Sequence, residues 1–260
     1  MKRSIIIAAL SALFLISCGT PSVRSSEDFN FDWRFTLGDS PQWAEAGFDD
    51  SGWRELHLPH DWSVEGEFSA SNPSTPGGGA LPGGIGWYRK HFTTPQGVAE
   101  GRRVSVEFDG VFMNSTVYVN GTAAGTRPYG YSSFCYDITD MLAPDGGDNV
   151  IAVRCDNADQ PNSRWYAGCG IYRNVRLTVT EPVHIAWNGT YVTTPNVYGD
   201  AAEICIQATI CSHESVQEAE IENIILDAGG KQVGRVGDTM PLACGENVCV
   251  SSLTIGRPHL

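Results

Sequence analysis

Residues 103–121 read Arg103-Val-Ser-Val-Glu-Phe-Asp-Gly-Val-Phe-Met-Asn-Ser-Thr-Val-Tyr-Val-Asn-Gly121, and two runs within them alternate: Val104, Val106 and Phe108 with polar partners, then Val117 and Val119. Successive side chains of a strand face opposite sides, so a period of two marks strands with one buried face. Asn120-Gly121, which closes the second run, has ready access to positive φ and suits a tight hairpin turn. The period returns at Val175, Leu177 and Val179, and further strands are expected over residues 32–37, 53–58, 87–93, 133–138 and 149–155. No convincing helical stretch separates them. The expected fold is therefore all-β, with a jelly-roll β-sandwich over residues 29–180. A second set of strands is expected over 184–192, 203–211, 221–227 and 248–255, after Glu181-Pro182. It fits a smaller immunoglobulin-like sandwich over residues 181–260. Residues 69–86, with Pro73, Pro76, Pro82 and the run Gly77-Gly78-Gly79, read as a long loop or flap.

Composition agrees with many short strands and narrows the partners. The 29 Gly and 14 Pro punctuate the chain too often for a helix bundle, and 42% apolar residues suffice for a core. A net charge of −13 repels phosphate backbones and anionic lipid head groups, so nucleic acid is not an expected partner. At the N-terminus, Lys2 and Arg3 precede an apolar run from Ile5 to Ile16, too short to span a bilayer of roughly 30 Å. Residues 1–17 read as a secretion signal, and the small residue before Cys18 resembles the bacterial lipobox. Cys18 is the expected lipidation site and residues 18–28 the tether. The chain is then exported and lipid-anchored in the bacterial envelope, in the outer membrane or facing the periplasm. The lipid is its only expected membrane contact, and Gly19 offers no acidic retention cue.

Eight cysteines would suggest disulfides in an exported protein, but lipidation of Cys18 leaves an odd number. Cys205 and Cys211 lie about 20 Å apart along one strand, which excludes a bond between them. Cys244 or Cys249 could reach one of them across a sheet. His57 and His60 flank Pro59 at a strand end rather than sharing a helix face, so no metal site is expected there. Gly168-Cys-Gly170 is not followed by the glycine and helix of a dinucleotide turn. No metal or cofactor is expected.

The informative clusters are His60-Asp61-Trp62, Asp156-Asn157 and Arg164-Trp165-Tyr166. Sugars present apolar C–H faces and hydroxyl rims, and their sites combine an aromatic platform with fixed Asp, Asn and Arg groups. The alternative is that Trp62 and Trp165 plug the sandwich edge while the charges form structural pairs.

Three segments tip the balance. Phe48-Asp-Asp-Ser-Gly-Trp53 leading to Leu58-Pro-His-Asp-Trp62, Val117-Tyr-Val-Asn-Gly121, and Ser163-Arg-Trp-Tyr-Ala-Gly-Cys-Gly-Ile-Tyr-Arg-Asn-Val175 together resemble the N-terminal region of family 2 glycoside hydrolases, especially β-galactosidases. The resemblance implies a sugar-binding jelly roll followed by an immunoglobulin-like sandwich. In the family a (β/α)8 barrel comes next, and its two glutamates perform a retaining hydrolysis. The resemblance thus implies no catalytic residue in this chain, a β-linked glycan or glycoside as ligand, and the catalytic barrel as partner. Asp156 matches a position from which some members send a carboxylate into the active-site mouth, with Arg164, Trp165 and Tyr166 beside it. Residues 83–86 lack the asparagine that some large β-galactosidases place there. The other function implied is a surface lipoprotein that binds glycans or a protein without chemistry.

Overall fold

The computed structural model describes residues 23–258; the leader and Cys18 lie outside them. The first strands are β1 (Arg24–Asp28), β2 (Trp33–Leu37), β3 (Arg54–Leu56), β4 (Gly84–Thr93), β5 (Arg103–Phe108), β6 (Ser115–Val119), β7 (Thr122–Arg127), β8 (Phe134–Asp137), β9 (Asp148–Asn157) and β10 (Val175–Thr180). They form two antiparallel sheets, of order β3-β2-β4-β9-β6-β7 and β1-β10-β5-β8. Helical structure among the described residues is confined to short 3-10 turns.

The alternating residues fill the space between these sheets. Val104, Val106, Phe108, Val117, Val119 and Val175 are fully buried and meet Trp33, Phe35, Tyr88, Ile151 and Val153 in one cluster. Each large apolar side chain removed from water contributes about 1.5–3 kcal/mol before chain entropy is set against it. Strands β6 and β7 join through Asn120 and Gly121, both at positive φ. That is the backbone a two-residue hairpin turn requires.

The Phe48-to-Trp53 segment is bolted onto the outer face of the larger sheet. Asp49 caps its own turn by accepting the Ser51 N–H at 3.0 Å. Asp50, only 2% exposed, accepts hydrogen bonds from Arg89 Nε at 2.7 Å, from Arg34, and from His91 Nε2 at 2.9 Å. Arg89 is 0% exposed and also donates to the carbonyls of Trp43 and Glu45. Trp43 packs edge-on against both Trp53 and Trp87 there.

Two readings of the sequence change. Residues 24–28, assigned to the tether, form β1, which pairs with β10 from Arg24↔Thr180 to Asp28↔Arg176. The strand carries no apolar side chain, because it joins the sheet edge through its backbone. The stretch read as a loop to residue 86 ends earlier, since β4 begins at Gly84 and pairs with Asn157 of β9.

The remaining strands are β11 (Val183–Val197), β12 (Ala201–Ser212), β13 (Val216–Leu226), β14 (Gln232–Leu242) and β15 (Gly245–Gly256). They form sheets β11-β12-β15 and β13-β14, with a core of Ala208, Ile210, Ile221, Leu242 and Cys249. Cys249 lies opposite Ala208 and shares its buried face. Cys205 and Cys211 occupy the alternate positions of β12, which face the other side. Cys249 therefore does not bridge to either of them. All seven described cysteines are free thiols.

Candidate functional site

Three segments meet at one end of the jelly roll: residues 60–66, the flap of residues 69–83, and the β9–β10 connection of residues 158–174. Asp61 staples the first to the third. Its Oδ1 accepts the N–H groups of Ser63 at 2.9 Å and Cys169 at 3.0 Å, and its Oδ2 accepts the Tyr166 hydroxyl. Partial burial, followed by this bond to a carboxylate, pushes the Tyr166 phenol well above its ordinary pKa. Asn157 holds the same loop from beneath. Its buried Nδ2 donates to the Gly168 carbonyl at 3.1 Å and to Cys169 Sγ at 3.0 Å, and its Oδ1 accepts from Asn162 at 2.6 Å. The flap closes the other side, with Ser74 Oγ donating to the Leu81 carbonyl at 2.7 Å and Gly79 packed against the Tyr166 ring.

His60 is turned away from this loop. Its Nδ1 lies 2.8 Å from the Tyr88 hydroxyl, and its Nε2 lies 2.6 Å from an Arg54 nitrogen. Arg54 grips Glu65 through both carboxylate oxygens at 2.9 and 3.0 Å, and that bond is the chief cause of the lowered Glu65 pKa. Burial is the chief cause of the lowered His60 pKa, so the ring is neutral at pH 7. Trp62 is 3% exposed, stacked on Phe35, and donates from Nε1 to the Gly83 carbonyl at 3.2 Å. Its ring fills the sandwich edge, as the alternative reading has it, with only its rim reaching the open side.

Asp156 lies on the outer face of β9. Arg154 donates to its Oδ2 at 3.1 Å while gripping Asp39 at 2.8 and 2.9 Å, and the Ala158 N–H reaches its Oδ1 at 3.1 Å. The Asp156 backbone is tied to Met113 and Asn114, donating to the Met113 carbonyl at 2.9 Å and accepting from Asn114 Nδ2 at 3.2 Å. Its cation partner is thus Arg154. Arg164 is exposed and makes no hydrogen bond or ion pair among the described residues. Trp165 is 61% exposed, with Nε1 donating to the Tyr131 hydroxyl at 3.1 Å.

Sequence reasoning missed Tyr129 and Tyr131, which are 60% and 42% exposed. The only trace of them is the pattern Tyr129-Gly130-Tyr131, two large rings about a small residue in a turn. Between the flap and Trp165–Tyr166 lies a crevice of about 10 Å³, room for a single water. Beyond it opens a trough of about 480 Å³ along Phe35, Leu37, Arg54, Trp62, Glu65 and Pro82. No three His, Cys, Asp or Glu side chains among the described residues converge as metal ligands. Asp61 and Asn157 spend their polar atoms on holding the loop, so this arrangement can orient and stack a ligand.

Residues 27–182 match the family described as glycosyl hydrolases family 2, sugar binding domain. The chain is 49% identical over 241 residues to β-galactosidase BoGH2A of Bacteroides ovatus, covering 92% of this chain and 28% of that protein. It is 30% identical over 268 residues to a β-glucuronidase of Formosa agariphila, covering 93% of this chain and 27% of that one. A crystal structure of a glycosyl hydrolase family 2 member from Bacteroides cellulosilyticus shares the fold with a TM-score of 0.84 at 35% identity, covering 90% of this chain and 31% of that one. The chain thus spans under a third of the length of these relatives.

Proposed function

The chain belongs to glycosyl hydrolase family 2, matching its N-terminal sugar-binding domain, and from that premise we propose that it shapes the sugar site of a β-galactosidase-like hydrolase whose bond-breaking groups lie elsewhere. The observation that carries this reading is the exposed Arg164-Trp165-Tyr166 loop, presented on a frame that Asp61 and Asn157 hold fixed. Asp156, Arg164, Trp165 and Tyr166 border the sugar; His60, Asp61, Trp62 and Asn157 keep the border in place. A retaining hydrolysis needs two carboxylates flanking the glycosidic bond, one as acid/base and one as nucleophile. We assign both to the family's catalytic barrel, the proposed partner. The identity to a β-galactosidase favours galactose over glucuronic acid as the terminal sugar.

The test joins this chain to its natural downstream barrel and assays nitrophenyl β-galactoside and β-glucuronide. Galactoside turnover is expected from the joined enzyme and none from the 260-residue chain alone. Asp156→Ala should remove charged hydrogen bonds worth about 1.5–3 kcal/mol, or roughly 10–150-fold in kcat/KM, without loss of folding. Unchanged kinetics would make Asp156 a surface partner of Arg154, and a preference for glucuronide would overturn the choice of sugar. We further propose that Cys18 is acylated and anchors the protein in the bacterial envelope, on the strength of the Leu15-to-Cys18 pattern after a short apolar run. Mass spectrometry of the mature N-terminus decides it, and an unmodified Cys18 refutes it.

A further inference from the structure

Around Trp165 the structure builds more surface than a single sugar needs. The Trp165 indole N–H meets the Tyr131 hydroxyl at 3.1 Å, and the Tyr131 and Tyr129 rings stand edge to face with centroids 5.7 Å apart. The three rings are 61%, 42% and 60% exposed, so the row faces solvent along its whole length. Exposed aromatic side chains on a loose loop would carry a large ordering cost on binding. Here the base is fixed. Tyr131 rests edge-on against buried Phe112 at 5.2 Å, and the Tyr172 hydroxyl donates to the Gly130 carbonyl at 2.9 Å. Gly130 lies so close to the Phe112 ring that a Cβ there would stand 2.3 Å from it, so only glycine lets the tyrosine-bearing turn sit down on this base. Phe112 in turn exchanges backbone hydrogen bonds with Gly170, at 2.9 and 2.7 Å, tying the turn to the loop that carries Trp165.

The chemistry of the row says what it takes. Each ring ends in a polar tip, a hydroxyl or an indole N–H, while the purely apolar side chains of these segments, Val111, Phe112 and Ile171, are buried beneath. The Trp165 N–H is already satisfied by Tyr131, but a protein partner's aliphatic core would leave the Tyr131 and Tyr129 hydroxyl protons unpaired at a cost of about 1–3 kcal/mol each. A sugar ring pairs with both parts, its C–H face against the aromatic rings and its hydroxyls against the two tyrosine hydroxyls. The net charge of −13 disfavours an anionic polymer.

We propose that Trp165, Tyr131 and Tyr129 form an aromatic ledge that binds a neutral β-linked oligosaccharide across two or more consecutive sugar residues. The ledge rests on the sugar-site reading above and extends it. It makes the substrate an oligosaccharide or polysaccharide branch rather than a small glycoside, because one sugar covers only part of the row.

The test titrates the purified chain by calorimetry with tetraoses cut from neutral β-linked galactan, glucan, mannan and xylan, and with the corresponding methyl monoglycosides. Stacking reads C–H faces and tolerates changes of sugar, so at least one tetraose should bind about tenfold tighter than its monoglycoside. Trp165→Ala and Tyr129→Ala should each weaken that binding about tenfold, equivalent to about 1.4 kcal/mol. Tyr129 has no hydrogen bond through its side chain among the described residues, so its variant should keep the wild-type melting temperature even if Trp165→Ala does not. Absence of any tetraose preference, or a preference that survives both substitutions, overturns the ledge. A dimer seen by sedimentation that Trp165→Ala dissociates would make the row an interface between copies, and also overturns it. If the joined enzyme cleaves nitrophenyl β-galactoside while the chain shows no tetraose preference, the ledge alone has failed; an inactive joined enzyme is the failure of the sugar-site reading.

Discussion

Asp61→Ala should do more harm than its surface setting suggests, because one carboxylate holds two segments that are 108 residues apart in sequence. The substitution orphans the N–H groups of Ser63 and Cys169, both in buried residues, and frees the Tyr166 hydroxyl. A buried unsatisfied donor costs about 1–3 kcal/mol, and a hydrogen bond to a charged group contributes about 1.5–3 kcal/mol. The terms share one side chain and do not add, and Tyr166 recovers water as a partner, so the expected loss is about 3 kcal/mol. At about 2–4 °C per kcal/mol for a domain of this size, the melting temperature should fall by roughly 6–12 °C. Asp61→Asn keeps an oxygen for the two backbone donors and should lose only about 1 kcal/mol. Intrinsic fluorescence isolates the jelly roll, since Trp33, Trp43, Trp53, Trp62, Trp87 and Trp165 lie within it and only Trp187 lies outside. Hydrogen exchange of the amides from Tyr166 to Cys169 supplies the second readout and should accelerate in Asp61→Ala far more than in Asp61→Asn. Equal losses in the two variants with loop exchange unchanged would refute the staple and reduce Asp61 to an ordinary turn residue.

Asp50→Ala should cost about 3–5 kcal/mol by urea titration, since it leaves Arg89, 0% exposed, without its carboxylate; a loss under about 1 kcal/mol would show that the carbonyls of Trp43 and Glu45 hold the guanidinium unaided. Stability should fall as the pH drops from 7.5 to 5.5. Burial lowers the pKa of His60 and of His184, so the unfolded chain takes up protons below the ordinary value of 6.5 before the folded one does, and a denaturation midpoint that stays level or rises would contradict this. Native alkylation should label exposed Cys244 ahead of Cys155 and Cys169, whose thiols burial pushes up, in the case of Cys169 to about 11; labelling of Cys155 at the rate of Cys244, followed by peptide mass spectrometry, would show that the core opens there.

What the sequence shows of this fold divides by whether the deciding contact is local. Strands β5, β6 and β10 are legible because their own alternation states which face is buried. Strand β1 is not, since Arg-Ser-Ser-Glu-Asp has no buried face to announce and is specified only by the free edge of β10. Strand β14 hides for the opposite reason. It carries Gly234, a poor strand residue by propensity, because a Cβ there would stand 2.6 Å from the methyl groups of both Leu253 and Ile255 on β15. The same division runs through the site. Trp62 and Trp165 look alike in sequence, each an aromatic set beside an acid or a base, yet one is 3% and the other 61% exposed. Trp62 is buried because the β2 and β4 ladder brings Phe35 beneath it, and Trp165 is exposed because the loop anchored at Asp61 and Asn157 turns its ring outward toward Tyr131. Phe35, Asp61 and Tyr131 each lie more than twenty-five residues from the tryptophan that they position, and only Asn157 lies near it in sequence. Composition can therefore nominate aromatic residues for a sugar site, but only the long-range register of the sandwich decides which of them a sugar can touch.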